Sequence, residues 1–277
     1  MEITPTNATL GAVVTGIRLA ELDDASWRTV EDAFNEHAVL IFPGQHLSNE
    51  EQQAFGRRFG EFDSLSATGL TPISNQMRDG TLVDPGHPGM TILKGNEGWH
   101  TDSSYMKVAA KASMLSARVV PSIGGTTEWA DMRAAYDVLT DEMKAFVGGL
   151  SANHSIVYSQ RKMGYDIVAG SYGHDEDDPP RRPLVKIHPA TGRPSLFIGR
   201  HAYGLEGMTD DESEHFLDGL VELACQAPRV YAHAWQVGDL VLWDNRCVLH
   251  RARPWDLSEP RVMIHTRIKG EASEISS

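Results

Sequence analysis

The chain has 277 residues, of which 41% are hydrophobic and 23% charged, so one domain of ordinary globular composition can bury a large core. Its formal net charge of −13 argues against nucleic acid as a partner, because phosphate binding needs a basic face. No segment approaches the roughly 20 apolar residues of a membrane helix, and the N-terminus lacks the basic start and apolar core of a signal peptide. Two isolated cysteines give no disulfide framework, so the expected location is the cytoplasm.

The first sixty residues contain short elements of both kinds. Ser48-Asn-Glu-Glu51 has the spacing of a capping box, which opens a helix. The apolar run 38–42 ends at Pro43-Gly44 and predicts a buried strand. In chain order we expect one or two strands within 3–19, a helix over 24–37, the strand 38–42 and a helix over 49–59.

Strands dominate the rest of the chain. Residues 61–98 are rich in Gly, Pro, Ser, Asn and Asp and are predicted to be loop with short strands. Further along, the patterns predict helices over 131–139, 140–146 and 209–225, and strands over 112–120, 184–188, 195–199, 239–243 and 261–268. Because strands and helices do not alternate regularly, a doubly wound parallel sheet is disfavoured. The pattern favours a mainly β fold with flanking helices around a double-stranded β-helix core of the jelly-roll or cupin type.

An acidic stretch, Gly173-His-Asp-Glu-Asp-Asp178, is followed directly by Pro179-Pro-Arg-Arg182. Such a composition is typical of a surface loop. Because the stretch lies between two strand regions, we predict an active-site lid over roughly 159–183. It would belong to one domain that spans residues 1–277.

The sequence Trp99-His-Thr-Asp102 is a candidate metal motif. Two histidines and one carboxylate on one face of the ion are common in non-haem iron oxygenases. In an extended strand, residues i and i+2 point the same way, so His100 and Asp102 could bind one ion. With 38 acidic residues and 12 histidines, a His-x-acid match is expected by chance, and this one alone is weak. A more distant histidine would have to complete the site.

The C-terminal part supplies that histidine and a possible anion partner. An apolar strand beginning at Asp239 leads through a turn to His250. In the following strand, alternation places Arg261 on the same face as His265 and Arg267. An arginine directed into a barrel is costly unless it meets an anion, and a dicarboxylate cosubstrate is such an anion. An internal salt bridge is the alternative for Arg261, whereas Arg267 is expected to be solvated.

Six longer segments carry a family resemblance that extends over nearly the whole chain. They are Ile3-Thr-Pro-Thr-Asn-Ala-Thr-Leu-Gly11, Leu40-Ile-Phe-Pro-Gly-Gln-His-Leu-Ser48, Trp99-His-Thr-Asp-Ser-Ser-Tyr105, Gly124-Gly-Thr-Thr-Glu-Trp-Ala-Asp-Met132, Gly192-Arg-Pro-Ser-Leu-Phe-Ile-Gly-Arg-His201 and Trp243-Asp-Asn-Arg-Cys-Val-Leu-His-Arg251. Through them the chain resembles the taurine dioxygenase family of iron/2-oxoglutarate oxygenases. Within that family it is most similar to the (S)-selective aryloxyalkanoate (dichlorprop-type) dioxygenases.

The resemblance implies roles for individual residues. His100, Asp102 and His250 match the family's iron(II) ligands, and Thr127 and Arg261 match the residues that bind the 2-oxoglutarate cosubstrate. Iron, 2-oxoglutarate and O2 are thus the implied cofactors. The implied reaction hydroxylates a small carboxylate and releases succinate and carbon dioxide. For an aryloxyalkanoate, hydroxylation beside the ether oxygen gives a hemiketal that collapses to a phenol and a 2-oxo acid.

The substrate end of the site is less defined. Asn96 occupies the position of a pocket asparagine in the family, and His265 replaces the arginine with which taurine-specific members bind the sulfonate. A substrate carboxylate needs a cation, and the candidates are Arg200, His201 and Arg161, the last in a predicted loop over 158–162. The same bases would suit N-acyl amino acids such as N-succinyl leucine, so both substrate classes stay open.

Two other classes use a similar ligand set. A cupin-type metal hydrolase or isomerase would not need Arg261 and Thr127, and a cupin-like binding module would consume no oxygen. The sequence favours the oxygenase, acting on a small-molecule substrate and expected to form a homo-oligomer.

Overall fold

A computed structural model describes residues 1–64, 66–84, 86–165 and 178–271. Fifteen strands are found among these residues: β1 (Glu2–Pro5), β2 (Ala12–Thr15), β3 (Val39–Phe42), β4 (Thr71–Ser74), β5 (Ala110–Val119), β6 (Thr127–Asp131), β7 (Ser151–His154), β8 (Arg181–Pro183), β9 (Val185–Ile187), β10 (Pro194–Leu196), β11 (Ala202–Tyr203), β12 (Val230–His233), β13 (Leu240–Asp244), β14 (Val248–Ala252) and β15 (Val262–Lys269). Seven α-helices accompany them: α1 (Asp24–His37), α2 (Asn49–Arg57), α3 (Pro88–Gly95), α4 (Met132–Asp137), α5 (Asp141–Gly148), α6 (Ile156–Lys162) and α7 (Asp210–Ala224).

The largest sheet has seven strands in the order β1-β2-β3-β13-β5-β15-β4. All its pairs are antiparallel except β2 with β3. Three smaller antiparallel sheets have the orders β12-β6-β14, β11-β7-β8 and β10-β9. The non-sequential strand order reflects long crossovers, as expected for a mainly β chain that folds back across its own sheets.

Buried apolar side chains form layers between these elements. Trp243 and Met263 of the large sheet pack with Trp129 and Val248 of the β12-β6-β14 sheet, so these two sheets share one core. On the opposite face, the large sheet packs against α1 and α2 through a cluster that includes Phe34. A third cluster joins the smaller sheets to α4 and α7. The helices therefore flank a β core, as the sequence predicts.

Several predicted helix starts are confirmed. Ser48 and Thr209 each form a capping box with the glutamate three residues later, and Asp23 caps α1. The prediction for residues 61–98 is wrong at its end, because 88–95 form α3. That helix starts at a proline and ends at a glycine, which are suited to those two positions.

The predicted loop over 158–162 is also wrong. These residues belong to α6, which Ser155 caps by accepting a hydrogen bond from the Tyr158 N–H. The start of the predicted lid at 159 is therefore helical and its end contains β8. Residues 166–177, including most of the acidic stretch, lie outside the described residues. Within the described ranges, no helix has the length and apolar character needed to cross a membrane.

Candidate active site

Three predicted ligands converge at one point of the fold. His100 pairs with His250 of β14 through an isolated antiparallel bridge, with backbone N–O distances of 3.0 and 2.8 Å. A ligand atom of His100, one of Asp102 and one of His250 all lie within 4.8 Å of one another. The motif does not form the extended strand expected from its spacing. Instead the chain turns after His100, and Ser103 adopts a left-handed backbone with φ of 55°.

The protonation states of the triad suit a metal ion. Burial holds the pKa of His100 well below its usual value and lowers the pKa of His250 to about 4, so both imidazoles are neutral near pH 7. Burial alone would raise the pKa of Asp102, but His250, His265 and Arg267 outweigh it and lower that pKa well below its usual range. Two neutral imidazoles and one carboxylate are a donor set that ferrous iron prefers.

Hydrogen bonds orient two of the three ligands. His100 Nδ1 lies 2.8 Å from the Gly98 carbonyl oxygen, and donating to it leaves Nε2 free for a metal. Ser113 Oγ donates to Asp102 Oδ2 at 2.7 Å, and Asn245 Nδ2 donates in turn to Ser113 Oγ at 2.8 Å. Sequence reasoning missed Ser113 and Asn245, although Asn245 lies within a quoted family segment.

Arg261 and Thr127 both line the cavity that contains the triad. The Arg261 side chain is buried, and its Nη2 has no hydrogen-bond partner among the described residues. Its Nε donates to the Gly125 carbonyl at 3.2 Å, and burial lowers the pKa of Arg261 to about 10. The internal salt bridge considered as an alternative is not seen in the described part of the chain. A buried cation with a free donor fits an anionic ligand.

The Thr127 hydroxyl can donate a hydrogen bond to the same anion. Trp235 Nε1 donates to Thr127 Oγ1 at 3.0 Å, so the hydroxyl keeps its own proton to donate. The residues present therefore fit a carboxylate bound between Thr127 and Arg261. This is the arrangement that a dicarboxylate cosubstrate such as 2-oxoglutarate would need at its distal carboxylate.

Two features position Arg261: hydrogen bonds from the Asn75 side chain and a close approach to Gly125. Asn75 Oδ1 accepts the Arg261 N–H at 2.8 Å, and Asn75 Nδ2 donates to the carbonyls of Leu257 and Glu259. Gly125 has φ of +63°, and a β-carbon on it would lie 3.2 Å from both Cδ and Nε of Arg261. The glycine thus allows a close approach that a larger residue would obstruct.

The other predicted site residues fall into two groups. Asn96, Arg200, His201 and His265 line the cavity with the triad. Arg161 is exposed on α6 and is not among the lining residues, because the helix turns it away from the cavity. The pKa of His201 is held well below its usual value, mainly by burial and to a smaller extent by the nearby Arg200 and His100.

The inward face of β15 is longer than expected. His265 stacks on Trp243 with ring centroids 5.6 Å apart, and its Nε2 lies 3.4 Å from Asp102 Oδ2. The expectation that Arg267 is solvated is wrong. Its side chain is 13% exposed, lines the cavity and forms an ion pair with Asp63 at 3.0 Å. Strand β15 continues along the cavity beyond His265, so Arg267, two residues later on the same face, is also enclosed.

A second group with possible metal ligands, His188, Asp244 and Cys247, is occupied by protein contacts. Arg246 donates to both oxygens of Asp244, at 2.8 and 2.6 Å, and His188 Nε2 lies 2.9 Å from Oδ2. His188 Nδ1 accepts the Thr191 N–H. The possible ligand atoms of His188 and Asp244 are thus used in buried contacts within the protein, so this group is structural.

The cavity that contains the triad has a volume of about 220 Å³. Three arginines line it, namely Arg200, Arg261 and Arg267. Arg267 is paired with Asp63, whereas Arg261 keeps a free donor. Apolar residues such as Ile73, Leu115 and Ile156 also line the cavity.

Comparison with known proteins agrees with this geometry. The family model described as "Taurine catabolism dioxygenase TauD, TfdA family" matches residues 2–267. An (S)-phenoxypropionate/alpha-ketoglutarate-dioxygenase of Delftia acidovorans is 54% identical over 98% of this chain and 95% of that protein. An alpha-ketoglutarate-dependent 2,4-dichlorophenoxyacetate dioxygenase of Burkholderia sp. (strain RASC) is 38% identical over 92% of this chain and 89% of that protein.

Solved structures confirm the predicted jelly-roll core. The crystal structure of AAD-2 in complex with Mn(II) and N-oxalylglycine has a TM-score of 0.91 and 38% identity, covering 98% of both chains. A taurine dioxygenase from Burkholderia xenovorans has a TM-score of 0.79 and 27% identity, covering 98% of this chain and 91% of that one. The chain belongs to the TauD/TfdA family and is an iron(II)- and 2-oxoglutarate-dependent dioxygenase.

Proposed function

We propose that this dioxygenase hydroxylates (S)-2-aryloxyalkanoates at the carbon beside the ether oxygen, which releases a phenol and a 2-oxo acid. The observation that carries the proposal is a cavity that is lined by the His-Asp-His triad and, besides the ion-paired Arg267, by two further arginines, Arg200 and Arg261. Two anions can therefore be held at once. The (S)-phenoxypropionate dioxygenases that are 53–54% identical to this chain support this choice of substrate class.

In this proposal His100, Asp102 and His250 hold iron(II). Once bound, the iron with 2-oxoglutarate and oxygen supplies an oxidant that removes a hydrogen atom from a nearby carbon. Thr127 Oγ1 and Arg261 Nη2 each donate a hydrogen bond to the distal carboxylate of 2-oxoglutarate. These contacts fix the cosubstrate, so its position does not depend on the metal alone.

Arg200 binds the substrate carboxylate in this assignment, with His201, Asn96 and His265 beside the substrate. Arg200 is anchored by donating to the Gly95 carbonyl and by a contact of 3.3 Å to Met163 Sδ. Ser159 Oγ donates to the Ile156 carbonyl, so His201 Nδ1, which lies 2.9 Å from that Oγ, donates to it and the other ring nitrogen is an acceptor. The aryl group packs against the apolar wall that includes Ile73 and Leu115.

Turnover of (S)-2-phenoxypropionate tests the proposal. The protein is supplied with iron(II), 2-oxoglutarate and oxygen, and phenol and succinate are measured together. We expect one phenol for each succinate, and no phenol from a D102A variant or without 2-oxoglutarate. Hydroxylation of N-succinyl leucine with no phenol release from aryloxy acids would instead favour the N-acyl amino acid alternative.

We also propose that the protein is a cytoplasmic homo-oligomer without nucleic acid or membrane partners, and that residues 159–183 form a lid of its single domain. Both Cys225 and Cys247 are free thiols, as suits a reducing compartment. Light scattering on the purified protein tests the oligomeric state, and a monomer would contradict it. Limited proteolysis within 166–177, with and without substrate, tests the lid, and unchanged cleavage would contradict it.

A further inference from the structure

We infer that Gln160 is a specificity-determining residue, which donates a hydrogen bond to the substrate carboxylate beside Arg200. The inference rests on the proposed function, because it concerns the carboxylate of the same substrate. No family segment quoted above contains Gln160, and its helix α6 was expected to be a loop. The structure nevertheless places the Gln160 side chain on the cavity wall.

Gln160 is a polar group with unused hydrogen-bonding capacity. Its side chain is 3% exposed, and the amide oxygen has no hydrogen-bond partner among the described residues. An unpaired buried amide costs free energy, so such a residue is expected to serve a ligand. The same helix turn contains Ser159, which contacts His201. Helix α6 thus contacts the cavity directly through Gln160 and supports its lining residue His201 through Ser159.

Gly95 brings the Gln160 amide and the Arg200 guanidinium together. A β-carbon at Gly95 would lie 2.8 Å from Gln160 Nε2 and 2.9 Å from Arg200 Nη1. Both nitrogens therefore pack against the same side of Gly95 and are neighbours. Both nitrogens are donors, so in this orientation neither accepts a hydrogen bond from the other.

The amide can turn to suit an anion. A half-turn about the last side-chain torsion of Gln160 exchanges its oxygen and nitrogen. In the turned orientation, the oxygen faces the Arg200 cation, and the amide N–H groups become the donors at this wall. Arg200 and Gln160 then form a cradle with two kinds of donor, a guanidinium and an amide, and a carboxylate can accept from both.

The inference predicts that Gln160 distinguishes a carboxylate from its neutral amide. Binding of (S)-2-phenoxypropionate and of (S)-2-phenoxypropionamide is measured by calorimetry on protein loaded with Mn(II) and N-oxalylglycine, which does not turn over. For the variant Q160M, of similar length but without donors, we expect the acid to bind about tenfold more weakly. Binding of the amide should weaken less, by about threefold, because its neutral carbonyl accepts a weaker hydrogen bond from Gln160 than a carboxylate does.

Two further variants sharpen the test. In G95A the new methyl group displaces the flexible ends of Gln160 and Arg200, so the acid should again weaken more than the amide. In R161M, a change on the exposed side of the same helix, both ligands should bind as they do to the unchanged protein. Melting temperatures of the metal-loaded variants check that each one folds.

The outcomes are distinguishable. Acid binding by a folded Q160M equal to that of the unchanged protein would overturn the role of Gln160 and leave the proposed function intact. Equal losses for acid and amide would also overturn it, because they indicate packing alone. If the unchanged protein binds no aryloxy acid, the proposed function fails and this inference fails with it.

Discussion

Replacing Arg261 with methionine should separate stability from cosubstrate binding. Against an ordinary value of 12.5, the pKa of about 10 means that holding this cation in the fold without an anion costs about 3 kcal/mol. Because burial lowers the pKa of a base, this cost is fully present below pH 10 and disappears only near pH 12.5. The variant also loses the hydrogen bond to the Gly125 carbonyl, worth about 1 kcal/mol. The metal-free R261M protein should therefore be more stable than the unchanged protein by about 2 kcal/mol.

The assay is urea unfolding at pH 7.5 without metal, followed by melting with Mn(II) and increasing N-oxalylglycine. The unchanged protein should gain stability from the ligand, whereas R261M should gain almost none. R261K serves as the control, since it keeps the charge but lacks the planar fork and should show weakened binding. A loss of several kcal/mol in metal-free R261M would refute the reasoning, because it would make Arg261 a satisfied structural group.

Four further predictions follow from the site. H100A and D102A should fold but lose metal binding and turnover, and full activity in either would refute the ligand assignment. S113A frees the Asp102 carboxylate, so calorimetry should show Mn(II) binding about 10- to 100-fold weaker, and unchanged affinity would contradict this. G125A forces a non-glycine residue to φ of +63° beside the guanidinium. It should raise the KM for 2-oxoglutarate with little change in that for the substrate, and a reversed pattern would contradict it. In metal-free protein the pKa of His250 is about 4, so the unfolded chain binds a proton between pH 6.5 and 4 that the folded chain does not. As the pH is lowered from 6.5 to 4, the free energy of unfolding should thus fall by about 3 kcal/mol from this residue alone. A free energy of unfolding that does not change over this pH range, measured by urea unfolding, would contradict the prediction.

The sequence was informative where local pattern decides structure. Alternation along β15 placed Arg261 and His265 on one face, and the capping boxes marked the starts of α2 and α7. The distant candidate ligand His250 was found because an apolar strand and a turn precede it in the sequence. In these cases the side chains that define the element are close together in the sequence.

The sequence was less informative where distant contacts decide. Arg267 was expected in solvent because it lies near the end of the chain. Its partner Asp63 lies in a segment that has no pattern of its own, so the ion pair could not be foreseen. Helices α3 and α6 are short, and a helix of seven or eight residues depends on packing rather than on propensity. Missing α6 led to Arg161 as one of three candidate bases for the substrate carboxylate, whereas its neighbour Gln160 reaches the cavity.

The central claim is that one cavity holds a metal on His100, Asp102 and His250 between two anion sites. A crystal structure with Mn(II), N-oxalylglycine and (S)-2-phenoxypropionate tests it most directly, with the metal located by anomalous scattering. We expect one manganese on the triad, the distal carboxylate of the inhibitor on Arg261 and Thr127, and the substrate carboxylate on Arg200. Manganese on His188, Asp244 and Cys247, or an inhibitor that leaves Arg261 without an anion, would contradict the account.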